Sequence, residues 1–475
     1  MATAIAPPCD ETRGLEEKTS PCPSRRGTLV ATVLGSSLAF VVGSIVNVAL
    51  PAMRTEFAID AAGVQWIVNA YLLPLGALVL VGGALGDRYG RKRLFMVGLA
   101  VFTLACLGCA LAPDFAALLT ARFAQGVGAA LLAPNSLAII ADAFSGKERG
   151  RAIGTWAGAG AIAGAVAPLI GGLVIDNLDW RWAFALVVPP GIATAVIGWR
   201  SVAESREDRG DRRPLDIAGA VAASVALAAI VYALIAAPGA GLAAPNVLVS
   251  GAIGVAAGAA FIAIQHRKRD AAMMPLSLFA VGSFSGISLL TLLLYAALGG
   301  LLVVLPYMLI QEFGYSATQA GAAIMPFPLI MGVLSRRIGA LAQGFGIRRT
   351  LAIGPSMVAA GFVLMALRAD PGMTYWNGIL PGLVVMALGM AISVAPLTTA
   401  VMNAVDAAYT GVASGVNNAI SRVAGLIATA MLGPVLARPS LIAGFELAAW
   451  VAAALAALGA GAAWLMVRER EVAGG

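Results

Sequence analysis

Fourteen stretches of roughly twenty apolar residues recur along this chain, and they decide what it can fold into. They lie near 28–50, 64–86, 94–112, 115–141, 152–175, 181–199, 215–236, 245–265, 283–309, 319–341, 350–367, 375–402, 411–436 and 441–467. Each is long enough to cross roughly 30 Å of hydrocarbon. Of the 475 residues, 60% are hydrophobic and 12% are charged. Soluble domains carry about 25% charged residues, so this chain has too little polar surface to face water all round. Hydrocarbon offers nothing to a lone peptide group, so runs this long must be helices. The predicted class is an all-α polytopic membrane protein of about 14 transmembrane helices.

The basic residues set the orientation. With the N-terminus in the cytoplasm, 25 of the 31 Lys and Arg fall in segments on that side, including Arg25, Arg26, Arg88, Arg91, Lys92 and Arg93. Four fall opposite (Arg54, Arg181, Arg368, Arg438), and Arg122 and Arg422 lie within spans. Cytoplasmic loops of membrane proteins are enriched in Lys and Arg, so both termini are expected to be cytoplasmic. A pI near 9.5 is then a signal of orientation and not of nucleic-acid binding. Residues 1–27 read as a disordered cytoplasmic tail before a retained anchor, because the first span is too long for a signal peptide.

One His and four Cys leave little for a metal centre or a Cys/His catalytic pair, and no cofactor is expected. Cys106 and Cys109 sit three residues apart inside an apolar run and read as packing residues, since a redox thiolate needs water.

A repeat divides the chain. Gly83-Ala-Leu-Gly-Asp87-Arg88-Tyr-Gly90-Arg91-Lys92 reappears 256 residues later as Gly339-Ala-Leu-Ala-Gln343-Gly344-Phe-Gly346-Ile-Arg348, identical at four of ten positions. Each copy follows the second span of its half, as expected of a transporter built from two six-helix halves. The predicted organisation is therefore a six-helix half over 28–200, a charged linker and two-helix insertion over 201–274, a second six-helix half over 275–467, and a short cytoplasmic tail over 468–475.

At these residues the chain resembles the major facilitator superfamily, and within it the fourteen-helix drug:proton antiporter group. The Gly83–Arg93 turn looks like the signature between helices 2 and 3. Ala121-Arg122-Phe-Ala-Gln125-Gly126-Val-Gly128 looks like the fourth-helix motif. Gly154, Gly164, Pro168, Gly171 and Gly172 approximate the fifth-helix antiporter motif. Ser44–Pro51 with Asn47, Trp66–Tyr71, and Gly411–Arg422 with Asn417 and Asn418 match further segments. The sequence departs from the group at Val42, where the group carries Asp, and at Ala163 and Ala167, where it carries Gly. Trp180-Arg181-Trp182 resembles the sixth-helix segment, with Val187 in place of its usual Asn.

The resemblance implies a membrane transporter, not an enzyme: a multidrug efflux antiporter of the bacterial inner membrane. Its partners would be a small-molecule substrate, the lipid bilayer and protons, with no nucleic acid and a monomeric state. Physical chemistry gives the motifs roles. Asp87 at a helix end can cap a neighbouring helix and pair with Arg91, with Asp142 a second partner, forming a cytoplasmic gate with Gly83, Arg88 and Gly90. Arg122 lies about seven residues into its span, roughly 10 Å deep. An arginine there must snorkel or find a partner. A substrate cavity is expected from Asn47, Trp66, Tyr71, Arg122, Gln125, Asn417, Asn418 and Arg422. The Gly- and Ala-rich fifth span suits close helix packing, and the resemblance adds an interface seal.

No Asp or Glu falls near a span midpoint, and the single His266 lies in a basic loop. Proton exchange needs a titrating group in the cavity, so the inventory favours a neutral or anionic substrate facing two arginines. A facilitator or importer of the same fold is the alternative. No G-x-x-x-x-G-K-[ST] loop is present, so the energy would come from a gradient.

Overall fold

The computed structural model describes residues 24–206, 215–269, 272–370, 372–406 and 409–469, and of 336–344 the backbone alone. Of the tails expected at 1–27 and 468–475 and of the linker, residues 1–23, 470–475 and 207–214 lie outside the described residues, and Arg25–Gly27 belong to the first helix. Fourteen helices among the described residues are long and apolar enough to cross a membrane, and each predicted stretch falls on one of them.

The first half comprises α1 (Arg25–Glu56), α2 (Ala61–Tyr89), α3 (Arg91–Ala110), α4 (Phe115–Ala143), α5 (Gly146–Asn177) and a sixth crossing split into α6 (Trp180–Ala185) and α7 (Val188–Ser201). An inserted hairpin follows, α8 (Ile217–Ala240) and α9 (Pro245–Lys268). The second half runs through α10 (Gly282–Gln311), α11 (Ala317–Ile324), α12 (Pro326–Phe345), α13 (Ile347–Leu367), α14 (Leu380–Asn403), α15 (Thr410–Ala430), α16 (Gly433–Leu436) and α17 (Leu441–Met466). Prolines account for the split crossings. Pro189 and Pro190 follow the α6 break, Pro326 and Pro328 open α12, and Pro434 opens α16. A proline has no N–H to continue the ladder and is tolerated in a helix's first turn.

The scarce acids serve largely at helix starts. Asp60, Asp114 and Asp179 accept the amide N–H of Gly63, Ala117 and Arg181, each at 2.8 Å. Side-chain acceptors there satisfy donors that the helix leaves orphaned.

Each half has its own aromatic core, with Phe95, Phe102, Trp180 and Phe184 in the first and Phe284, Phe362 and Phe445 in the second. In lipid, helices associate through close packing of small residues. A Cβ on Gly98 of α3 would stand 2.9 Å from the Gly128 carbonyl oxygen of α4. A Cβ on Gly354 of α13 would stand 2.8 Å from that of Gly389 on α14. Gly98 and Gly354 are separated by the same 256 residues as the loop repeat, so the duplication extends into helix packing.

Fourteen crossings bring both ends of the described chain to one side, the terminal side; the other is the distal side. The halves meet where α2 packs on α15, α5 on α11, and α1 on α10. The α5 contact belongs to its distal part. Toward the terminal side, added Cβ atoms at Gly146, Gly150, Gly154 and Gly158 would meet nothing within 4 Å. The α5–α11 seam is thus closed on the distal side and open toward the terminal side, while α2 and α15 stay in contact further along, where a Cβ at Gly415 would stand 3.3 Å from Leu80.

Candidate functional site

The terminal-side turn between α2 and α3 is made by Gly90 at φ +112°, a left-handed conformation that favours glycine. Arg91 sits one residue on and joins Asp87 at 2.7 Å, while its other guanidinium nitrogen bonds Asp142 at the end of α4. The three side chains are only partly exposed, so this charge cluster knits α2, α3 and α4 together. Arg88 turns away and stacks on Tyr89 at 5.6 Å. Gly83 packs on Pro134, and a side chain at Gly86 would collide with Asn135. The whole cluster lies within the first half.

Sequence reasoning missed two acids. Glu204, just past α7, accepts the amide N–H of Lys92 at 3.1 Å and Arg93 at 3.2 Å. Glu469 does the same for Ile347 at 3.2 Å and Arg348 at 3.0 Å. Lys92 Nζ donates to the Trp199 carbonyl at 2.8 Å, and Arg348 Nε to that of Trp464 at 2.7 Å. Both halves therefore fasten their third helix to their sixth by one device. The acid–base cluster occurs once, because Gln343 and Ile347 replace Asp87 and Arg91 in the second copy.

The distal side carries the seal. The Asp176 carboxylate accepts the backbone N–H groups of Ala317 at 2.9 Å and Thr318 at 2.8 Å, at the start of α11 in the other half. A carboxylate at a helix N-terminus satisfies orphan donors and meets the positive end of the dipole. Added Cβ atoms at Gly172 and Gly321 would stand 2.4 Å from the Ala317 and 2.3 Å from the Pro168 carbonyl oxygens, so α5 and α11 touch backbone to backbone. Gly171 packs on Ile45 of α1, and Gly164 meets Ser44 and Phe40. Arg54 donates to the Tyr307 hydroxyl at 2.5 Å. Gln65 Nε2 donates to the Thr429 and Ala430 carbonyls at 3.0 and 2.8 Å, and the Thr429 hydroxyl donates to Asn69 at 2.7 Å. Gln65 Oε1 and Asn69 Nδ2 remain buried without a partner.

At the centre the two arginines differ. Arg122 is 1% exposed. Its Nε donates to the Ile67 carbonyl at 3.1 Å, its Nη1 to Gln125 Oε1, and the guanidinium lies 4.6 Å from the Tyr71 ring centroid. Gln125 Nε2 in turn donates to Cys106 Sγ at 3.0 Å. Arg122 neither snorkels nor stands free; it binds α4 to α2. Arg422 is half-buried, 5.8 Å from the Phe40 ring across the seam and within electrostatic reach of Tyr71 and Tyr295. No ion pair joins a carboxylate to either arginine among the described residues.

Asn417 Oδ1 accepts the Thr291 hydroxyl at 2.8 Å, and Asn418 is exposed. Asn47 is half-buried on α1. Trp66 is not brought to this centre. It lies against Tyr232 of the hairpin, ring centroids 6.3 Å apart, in an apolar cluster with Val231, Ile235, Leu426 and Ala430. The sequence motif marked the helix without showing which of its faces meets the inserted pair.

The family model of the Major Facilitator Superfamily matches residues 32–429. The chain is 34% identical over 414 residues to the multidrug resistance protein Stp of Mycobacterium tuberculosis, covering 86% of this chain and 75% of that protein. It is 32% identical to the tetracenomycin C resistance and export protein of Streptomyces glaucescens, covering 86% and 76%. It is 33% identical to the puromycin resistance protein of Streptomyces alboniger, covering 87% and 82%. A D-xylose–proton symporter shares the fold at a TM-score of 0.68 and 16% identity, over 94% of this chain and 98% of that one. The duplicated helix packing, the Asp87–Arg91 turn and these relatives agree: the chain belongs to the Major Facilitator Superfamily.

Proposed function

We propose that the protein exports amphiphilic small molecules across the bacterial inner membrane by alternating access, acting as a monomer with both termini in the cytoplasm. The observation that carries this reading is the α5–α11 seam, closed at its distal end by Asp176 and open toward the terminal side. The basic residues put that open side in the cytoplasm, where an exporter must load. The relatives named for resistance and export support the direction. The gate formed by Asp87, Arg91 and Asp142 would act on the cytoplasmic side, and Asp176 on the other.

Arg422 has no resident anion, so the preferred substrate is neutral or anionic; a cation would meet uncompensated positive charge. Proton coupling would not use a midplane acid. Asp176 spans the two halves, and its protonation from the outer side would weaken its acceptance of two amides and loosen the distal seal. Val42 in α1 favours a second reading, a facilitator of the same fold without coupling.

Everted vesicles holding a proton gradient, read by a pH-sensitive dye and given cationic, neutral and anionic compounds, test both readings. Dissipation by neutral or anionic compounds that disappears in Arg422→Ala supports export. Uptake of those compounds without any effect on the gradient would establish the facilitator, and activity confined to cations would refute the charge assignment.

A further inference from the structure

The crossing that holds α15 is broken just before α16, where Pro434 stands in the first turn. In an unbroken helix the Ala430 carbonyl would accept the N–H four residues on. That residue is Pro434, which has none. Gln65 of α2, in the other half, supplies the missing donor: its Nε2 lies 2.8 Å from the Ala430 carbonyl oxygen and 3.0 Å from that of Thr429. One turn further along α2, Asn69 Oδ1 accepts the Thr429 hydroxyl at 2.7 Å. Gln65 and Thr429 are each 2% exposed and Asn69 is 0% exposed, so these bonds are made away from solvent.

The arrangement is the chemical converse of Asp176. There a carboxylate of the first half accepts the free N–H groups that begin α11. Here an amide of the first half donates to the free carbonyls that end α15. Each side chain has the polarity its helix end requires, an acceptor at the positive N-terminus and a donor at the negative C-terminus. Both caps lie on the distal side. Midway along the α2–α15 seam a Cβ at Gly76 would stand 3.8 Å from the Arg422 Cβ, and further on one at Gly415 would stand 3.3 Å from Leu80. Those packing contacts can tilt on one another, whereas the distal hydrogen bonds must break for the ends of α2 and α15 to separate.

We infer that Gln65 is a second distal latch, a positioning residue that holds the halves shut by capping the proline-broken end of α15 while Asp176 caps α11. This rests on the alternating-access reading and deepens it: the distal mouth opens only when both cross-half caps are released.

Spin labels at the exposed Ala58 and Ala437, which flank this seam on the distal side, test the latch in nanodiscs, with Cys9 and Cys22 replaced by Ser. Gln65→Leu removes the donors, and Gln65→Glu sets an acceptor of the same size against two carbonyls. By double electron–electron resonance the ratio of long to short distances should rise about tenfold in Gln65→Leu, the effect of one buried hydrogen bond, and further in Gln65→Glu. Gln65→Asn, one methylene shorter, draws the amide back from the carbonyls and should give a smaller shift in the same direction. Pro434→Ala returns an N–H to the helix, so in that background Gln65→Leu should change the ratio by about threefold or less. A lower thermal midpoint with an unchanged distance distribution in all three Gln65 variants would make Gln65 a structural residue only and overturn the latch. An equal effect of Gln65→Leu with and without Pro434→Ala would overturn it too. Asp176→Asn separates the latch from the reading beneath it. Widening in Asp176→Asn with none in the Gln65 variants would remove the second latch and keep the gate. Widening in the Gln65 variants while a terminal-side pair at Arg149 and Met402 stays fixed would keep the latch and remove alternating access.

Discussion

Two arginines in one membrane domain have opposite employments. Arg122 is enclosed by protein, so Arg122→Ala opens a cavity and strands the Gln125 and Ile67 acceptors. It should lower stability by about 3 kcal/mol, read as a fall in the thermal midpoint in detergent. Arg422 is half-buried and free of a carboxylate. Arg422→Ala should leave the midpoint within about a degree and remove transport. An unfolded Arg422→Ala, or a stable and active Arg122→Ala, would reverse the assignment. Both residues stand out in the sequence because arginine is costly in a span, and helical spacing alone does not tell which one the neighbouring helices enclose. Trp66 was illegible for the same reason: its partner Tyr232 belongs to a hairpin that no local pattern places against α2.

At the scale of elements, the distal seal depends on α5 lying directly on α11. Gly172→Val would push a side chain into the Ala317 carbonyl. The closed seam should weaken by about 1–3 kcal/mol, and a cysteine placed at Thr318 should become more reactive to a water-soluble maleimide. Unchanged reactivity would count against the seal.

The hairpin is anchored by Asp216, which receives Lys268 at 2.8 Å, Gln265 at 2.6 Å and the Gly219 amide at 2.9 Å. Burial pushes the Asp216 pKa up, but Lys268, Gln265 and the backbone amides together outweigh it and hold the pKa below the ordinary value. A depressed pKa means the stabilisation is complete above about pH 4, the unfolded value, and is lost as pH falls through the folded one. Asp216→Asn should cost about 1–2 kcal/mol at neutral pH, a gap that stays constant from pH 7 to 5 and narrows only below about pH 4. A gap that closes near pH 6 would exclude Asp216 as its source. The fourteen elements themselves were legible because lipid demands long apolar helices. Glu204 and Glu469 were not, since each caps a helix more than a hundred residues away.

For the whole molecule, the proposed export mechanism takes the duplicated halves and the closed distal seam as one of two alternating states. The repeat was readable as a loop motif, but the state was not, because both states share one sequence and differ only in which seam is closed. Spin labels can follow each side at exposed positions, with Cys9 and Cys22 replaced by Ser: Arg149 with Met402 on the terminal side, Leu178 with Leu367 on the distal side. Distances measured by double electron–electron resonance in nanodiscs, with and without a transported compound, test alternating access most directly. The account predicts opposite changes, the terminal pair closing as the distal pair opens, with Asp176→Asn favouring the distal-open form. Two pairs that stay fixed under transport conditions, or that widen together, would contradict it.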